Sequence, residues 1–215
     1  MLTVFTFGDS ILDSGNYNDE AINPGRLLVK NDDQLFPEFK GRDLSSRGPA
    51  RLEHRGIDGA IVDDLFEQTE DLTTDGPSLA LLTIGGNDLL IGLLDDPGSK
   101  IEAFAAKLDR FLRELPIRPV LIGSVYDPTF GNDELNVFGV DPELGRANLR
   151  RVNAVLADLG STYGAFVDLH AHFLKGQPNW FTRTIEPSLI GASEVRRCFL
   201  EAIEAGHFLR PGFPI

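Results

Sequence analysis

The sequence predicts an α/β protein, a three-layer α/β/α sandwich built on a parallel sheet of about five strands. Three observations carry this. Strand-like and helix-like segments alternate along the chain. Two strand candidates, Leu79-Ala80-Leu81-Leu82-Thr83-Ile84 and Pro119-Val120-Leu121-Ile122, are almost continuously apolar, as strands covered on both faces are. The first apolar run, Leu2-Thr3-Val4-Phe5-Thr6-Phe7, breaks sharply at Gly8-Asp9-Ser10.

The strand candidates are 2–7, 51–55, 79–84, 119–125 and 165–168. The second carries Arg51, Glu53 and Arg55, which suits the edge of the sheet. Gly59 to Phe66 opens a short helix. Ile101, Phe104, Ala105, Leu108, Phe111, Leu112 and Leu115 recur at helical spacing until Pro116 ends the run. Residues 141–159 repeat the pattern with Leu144, Leu149, Val152, Val155, Leu156 and Leu159. The last helix runs from Leu189 to Ala205 and closes at Gly206. Residues 17–50, rich in Asn, Asp, Gly and Pro, read as a long excursion over the sheet edge, and 127–140 as a second long loop.

The 215 residues suit one domain, 1–215, with 42% hydrophobic and 25% charged residues, ordinary for a soluble protein. A net charge of -13 argues against nucleic acid and against an anionic membrane surface. Cys198 is alone, so there is no disulfide framework and no cysteine-based metal site. No apolar stretch approaches the roughly 20 residues of a membrane span. No leader-like segment precedes the first strand, and the expectation is a cytoplasmic protein. Asn31-Asp32-Asp33 and Asn132-Asp133-Glu134 lack the spacing of a calcium loop and read as solvated acidic turns.

Parallel strands present their carboxyl ends to one rim, where ligands bind. Ser10 follows the first strand, Gly56-Ile57-Asp58-Gly59 the second and Gly85-Gly86-Asn87-Asp88 the third. A hydroxyl, a glycine-bearing turn and a carboxamide on one rim are the parts needed for acyl transfer. The serine attacks a carbonyl. The Ser10 N–H, a backbone N–H near Gly59 and the Asn87 amide then face the oxyanion. Glycine lets a backbone amide come close. Asparagine donates without carrying charge.

These blocks resemble the SGNH, or GDSL, hydrolase family. Gly8-Asp9-Ser10 is extended by Asp13, Gly15 and Asn16, and the second and third blocks match in Gly56-Ile57-Asp58-Gly59 and Gly86-Asn87-Asp88. The resemblance implies a flavodoxin-like sandwich and ester hydrolysis of a small-molecule substrate without a metal or organic cofactor. It also implies Ser10 as nucleophile, with Gly59 and Asn87 completing the oxyanion hole.

The last family block, Asp-x-x-His before the final helix, is altered. Pro187 and Gly191 hold the register, yet Arg183 stands at the aspartate position and Glu186 at the histidine position. The pair keeps its charge complementarity with reversed sign. A free glutamate, with a pKa near 4.3 against about 6.5 for histidine, is the weaker base, and an arginine lowers it further. Three outcomes follow. Glu186 is the base, made competent by burial and oriented by Arg183. Alternatively, His170 or His172, which follow the fifth strand, take the role. In the third case hydrolysis is lost and Arg183, with Arg51 or Arg55, clamps an anionic ligand. Acyl transfer to an alcohol uses the same nucleophile. His54 and His207 read as structural, and Trp180, Phe181, Phe130 and Tyr126 chiefly as packing residues.

Overall fold

The computed structural model describes residues 1–135, 139–206 and 208. Five parallel strands, β1 (Leu2–Gly8), β2 (Ala50–His54), β3 (Ser78–Thr83), β4 (Val120–Gly123) and β5 (Gly164–Val167), form one sheet in the order β2-β1-β3-β4-β5. The charged second strand lies at an edge, as its composition predicts. A short antiparallel hairpin, β6 (Phe181–Thr182) and β7 (Glu186–Pro187), stands apart from the sheet. The helices are α1 (Pro24–Val29), α2 (Gly86–Asp88), α3 (Ser99–Glu114), α4 (Pro142–Tyr163), α5 (Leu169–Phe173) and α6 (Leu189–Ala205).

Period-two alternation divides the core between the two faces of the sheet. Val4, Leu79, Leu81 and Leu121 pack with Leu27 and Leu28 of α1, Phe173 of α5, and Val195 and Phe199 of α6. Phe5, Phe7, Ala80, Leu82, Val120 and Ile122 pack with Phe104, Leu108 and Phe111 of α3 and Val152 and Leu156 of α4. Both faces are covered, which is why β3 and β4 tolerate no polar alternation.

Two expectations need correction. Residues 59–66 do not form an α-helix. Gly59 has a φ of 82° and Ile61 is extended, so only a 3-10 turn, Val62–Leu65, follows. Residues 17–50 do more than skirt the edge. Asn23 caps α1 by accepting from the Arg26 N–H, and Leu27, Leu28 and Val29 are buried in the core that α6 shares. Asn and Pro there cap and start a helix, a role that composition alone does not distinguish from a loop. His207 lies outside the described residues.

Candidate active site

Gly8 ends β1 with a φ of 112°, and a Cβ there would lie 1.6 Å from the Thr83 carbonyl oxygen, so no other residue fits. Gln68 clamps the same glycine. It accepts from the Gly8 N–H at 2.7 Å and donates to the Gly8 carbonyl at 2.9 Å. The chain then turns on Asp9, whose Oδ1 accepts from the Thr83 hydroxyl (2.8 Å) and the Ile11 N–H (3.2 Å). Ser10, only 8% exposed, is fixed by this turn in the wall of a cleft that Asn87 and Glu186 also line.

The second and third blocks are joined by side chains of the third. Asn87 Nδ2 donates to the Ala60 carbonyl at 3.0 Å, and the Asp88 carboxylate accepts from the Val62 N–H. Gly85, at a φ of 106°, starts the turn that carries them. The Gly8 carbonyl accepts from the Ile57 N–H at 2.9 Å, tying the second block to the first. Gly59 follows with its backbone exposed, outside the wall of the cleft, while its neighbour Ala60 holds the Asn87 amide.

Glu186 is presented by the β6–β7 hairpin. Its turn places Arg183 and Thr184 at φ values of 46° and 78°, a conformation uncommon for side-chain-bearing residues, above all a β-branched one. Strain of this kind is characteristic of functional turns. Tyr126, in the cleft wall, donates to the Ile185 carbonyl at 2.7 Å and holds the hairpin against the loop after β4. Ser188 anchors the far side, capping α6 through the Gly191 N–H and donating to the Asn179 carbonyl at 2.7 Å.

Burial, first of all, pushes the Glu186 carboxyl above the usual range. The Ser10 side chain favours the charged form, Asp58 opposes it, and Arg183 favours it. Glu186 Oε2 is buried without a hydrogen-bond partner. Asp9, beneath the site, is pushed up to about 7, chiefly by burial, with Glu186 and Asp88 adding to the rise. Asp88 is raised to about 6, again chiefly by burial.

Arg183 is exposed and does not line the cleft; its guanidinium lies 5.0 Å over the Tyr17 ring. Arg51 donates to the Thr3 hydroxyl, and Arg55 donates to the Gln68 and Glu70 carbonyls, so both are held away from the cleft. Neither His170 nor His172 lines the cleft. His172 Nε2 is hydrogen-bonded to Glu194 at 2.8 Å and its ring stacks on Trp180, while the buried His170 Nδ1 has no partner. His54, as expected of a structural residue, is hydrogen-bonded to Thr6 and Asp13. Trp180 and Phe181 pack around Phe173, outside the cleft. Gln68 and the Tyr17–Asp58 pair went unpredicted. No spacing marks a lone glutamine that reaches a glycine sixty positions away.

A buried serine, a carboxamide and a carboxylate of raised pKa share one cleft at the rim of a 2-1-3-4-5 parallel sheet. The profile of the GDSL-like lipase/acylhydrolase family matches residues 6–190. The chain belongs to that family, and so stands among the carboxylic ester hydrolases. No curated protein matches it. Among solved structures, an acetylxylan esterase from Geobacillus stearothermophilus is similar with a TM-score of 0.63 and 22% identity, over 94% of this chain and 93% of the other. A member of the lipolytic G-D-S-L family from Veillonella parvula gives 0.67 and 18%, over 94% and 97%. An α/β hydrolase from the metagenome of Lake Arreo, Spain, gives 0.63 and 22%, over 94% of each chain. No described helix is long and apolar enough to cross a membrane.

Proposed function

We propose that the protein hydrolyses small-molecule carboxylic esters through an acyl-enzyme on Ser10, with Glu186 as general base. The supporting observation is that Ser10 and a half-buried carboxylate whose pKa is raised line one cleft. Burial moves a carboxylate toward the basicity that proton transfer near neutral pH needs.

Glu186 takes the Ser10 proton as Oγ bonds to the ester carbon. The negative charge on the former carbonyl oxygen is met by the second N–H of the Asn87 amide and the Ser10 N–H. The tetrahedral adduct collapses as the ester C–O bond breaks and Glu186 returns the proton to the leaving alcohol. Water then attacks the acyl-enzyme, giving its proton to Glu186, and Ser10 leaves with it. Arg183 keeps a share of Glu186 ionised between turnovers.

The test uses an aryl acetate and a fluorophosphonate probe on the native protein, Ser10→Ala, Glu186→Gln, His170→Ala and His172→Ala. Native protein turns over the ester and is labelled at Ser10, while Ser10→Ala does neither. Glu186→Gln lowers kcat by about 10²-fold or more, and the histidine variants keep it within about threefold. Loss of activity in a histidine variant with Glu186→Gln unaffected transfers the role of base.

A further inference from the structure

We propose that the arm of the cleft leading away from Ser10 is an acyl-chain subsite, so that the protein prefers medium-chain aliphatic acyl esters to acetyl esters. The proposal rests on Ser10 being the nucleophile. The cleft, about 120 Å³, extends from Ser10 and Glu186 to the segment 89–94, the loop after β4 and the first turn of α4. Its walls include Leu90, Leu94, Val125, Val140, Pro142 and Leu149.

The polar groups bordering this arm are engaged with the protein itself. Asp127 accepts from the Thr129 N–H and hydroxyl and from the Gly131 N–H. Asp141 accepts from the Leu144 N–H, and Arg146 is paired with Asp133. A polyhydroxylated acyl group finds its competitors already in place, whereas an alkyl chain meets a lining that is mostly apolar. Gly145 enlarges the arm. A Cβ built there meets only Leu94 Cδ2 at 3.7 Å and Val140 Cγ1 at 3.9 Å, leaving a gap between two apolar side chains. Leu90, in the cleft lining, is 42% exposed, apolar surface that a bound chain takes out of water.

The orientation follows from the two sides of Ser10. Tyr17, Asp58 and Arg183 surround Glu186 with polar groups on one side. The alcohol oxygen must receive its proton from Glu186, so the alcohol belongs to that polar side and the acyl chain to the apolar arm.

The experiment measures kcat/KM for p-nitrophenyl acetate, butyrate, hexanoate and octanoate with the native protein. Each methylene buried contributes about fourfold, so butyrate exceeds acetate by roughly tenfold or more and the rise continues to hexanoate. A flat or falling series, with acetate turnover still dependent on Ser10, overturns the subsite and leaves the nucleophile standing. Turnover that survives Ser10→Ala overturns both. Acetate esters of lengthening alcohols give a flat series; a rise as steep as the acyl series overturns the orientation. Gly145→Phe and Leu94→Asn each bring the hexanoate-to-acetate ratio toward one. Calorimetric titration of the native protein with octanoate reads the subsite without turnover. Saturable binding that weakens at least tenfold in Gly145→Phe is expected, and absence of saturable binding overturns the proposal.

Discussion

The Tyr17 hydroxyl donates a 2.5 Å hydrogen bond to Asp58 Oδ2, and the Arg183 guanidinium lies over the same ring. The cluster joins the loop after β1, the turn after β2 and the β6–β7 hairpin. It sets an anion and a cation of opposite effect around Glu186, Asp58 raising its pKa and Arg183 lowering it.

Substitutions of the two therefore move the acid limb of the pH–kcat/KM profile in opposite directions. The ionised carboxylate is the active form of a general base. Asp58→Asn lowers the Glu186 pKa and shifts the acid limb to lower pH, with a modest loss of plateau rate from the weaker base. Arg183→Gln raises the pKa and shifts the limb to higher pH. Both shifts are less than about one pH unit, since solvent screens the exposed arginine. Movement of both variants in the same direction is the result that would sink this electrostatic account.

Asn87 offers a second prediction. One N–H of its amide is committed to the Ala60 carbonyl, which fixes the direction of the other. Asn87→Ala removes the proposed oxyanion donor and is expected to lower kcat by about 10²- to 10³-fold, with KM changed far less. Gly59→Ala meets no atom within 4 Å, but at a φ of 82° the new side chain strains the turn. Its effect on stability is about 1 kcal/mol, read from urea denaturation.

Gln68 holds Gly8 through both of its amide groups, in buried surroundings. Gln68→Ala leaves the buried Gly8 N–H without a partner and its carbonyl with Ile57 alone, at a cost of about 1–3 kcal/mol in denaturant melts. The loosened turn also moves Ser10, so kcat falls more than the loss of folded protein explains. Unaltered stability in Gln68→Ala would show that water replaces the clamp.

The sheet was legible because its signals are local. Continuous apolar runs and helical spacing decide β3, β4, α3 and α4 within each segment, and charge on Arg51, Glu53 and Arg55 marks the edge. Ser10 and Asn87 were legible because parallel strands end on one rim, so their meeting follows from chain order alone. The short helix expected at 59–66 fails because backbone groups there find better partners than an α-helix provides. The Val62 N–H goes to Asp88 and the Ile61 N–H to Asp64. Tyr126, Gln68 and the Tyr17–Asp58 pair act across tertiary distance through single hydrogen bonds, and such contacts leave no periodic trace. The place of Glu186 in its block is read from the sequence, whereas the rise in its pKa depends on burial that only the folded chain supplies.

The last prediction concerns Asp9, a buried carboxyl whose pKa is pushed up to about 7, mainly by burial. The Thr83 hydroxyl and the Ile11 N–H pull it back without compensating. In the unfolded chain the group titrates near 3.9. Between these values the folded state holds a proton that the unfolded state has released, so the contribution to stability falls as pH rises from about 4 to about 7 and is fully lost above that. Asp9→Asn keeps a carbonyl oxygen for Thr83 and Ile11 and carries no charge. It is expected to stabilise the protein at pH 8 by on the order of 1–2 kcal/mol, with the gain shrinking toward zero near pH 4. Urea melts of both proteins at pH 5 and pH 8 measure the difference. A variant equally destabilised at both values shows that the Asp9 oxygens contribute more as hydrogen-bond acceptors than their buried charge costs.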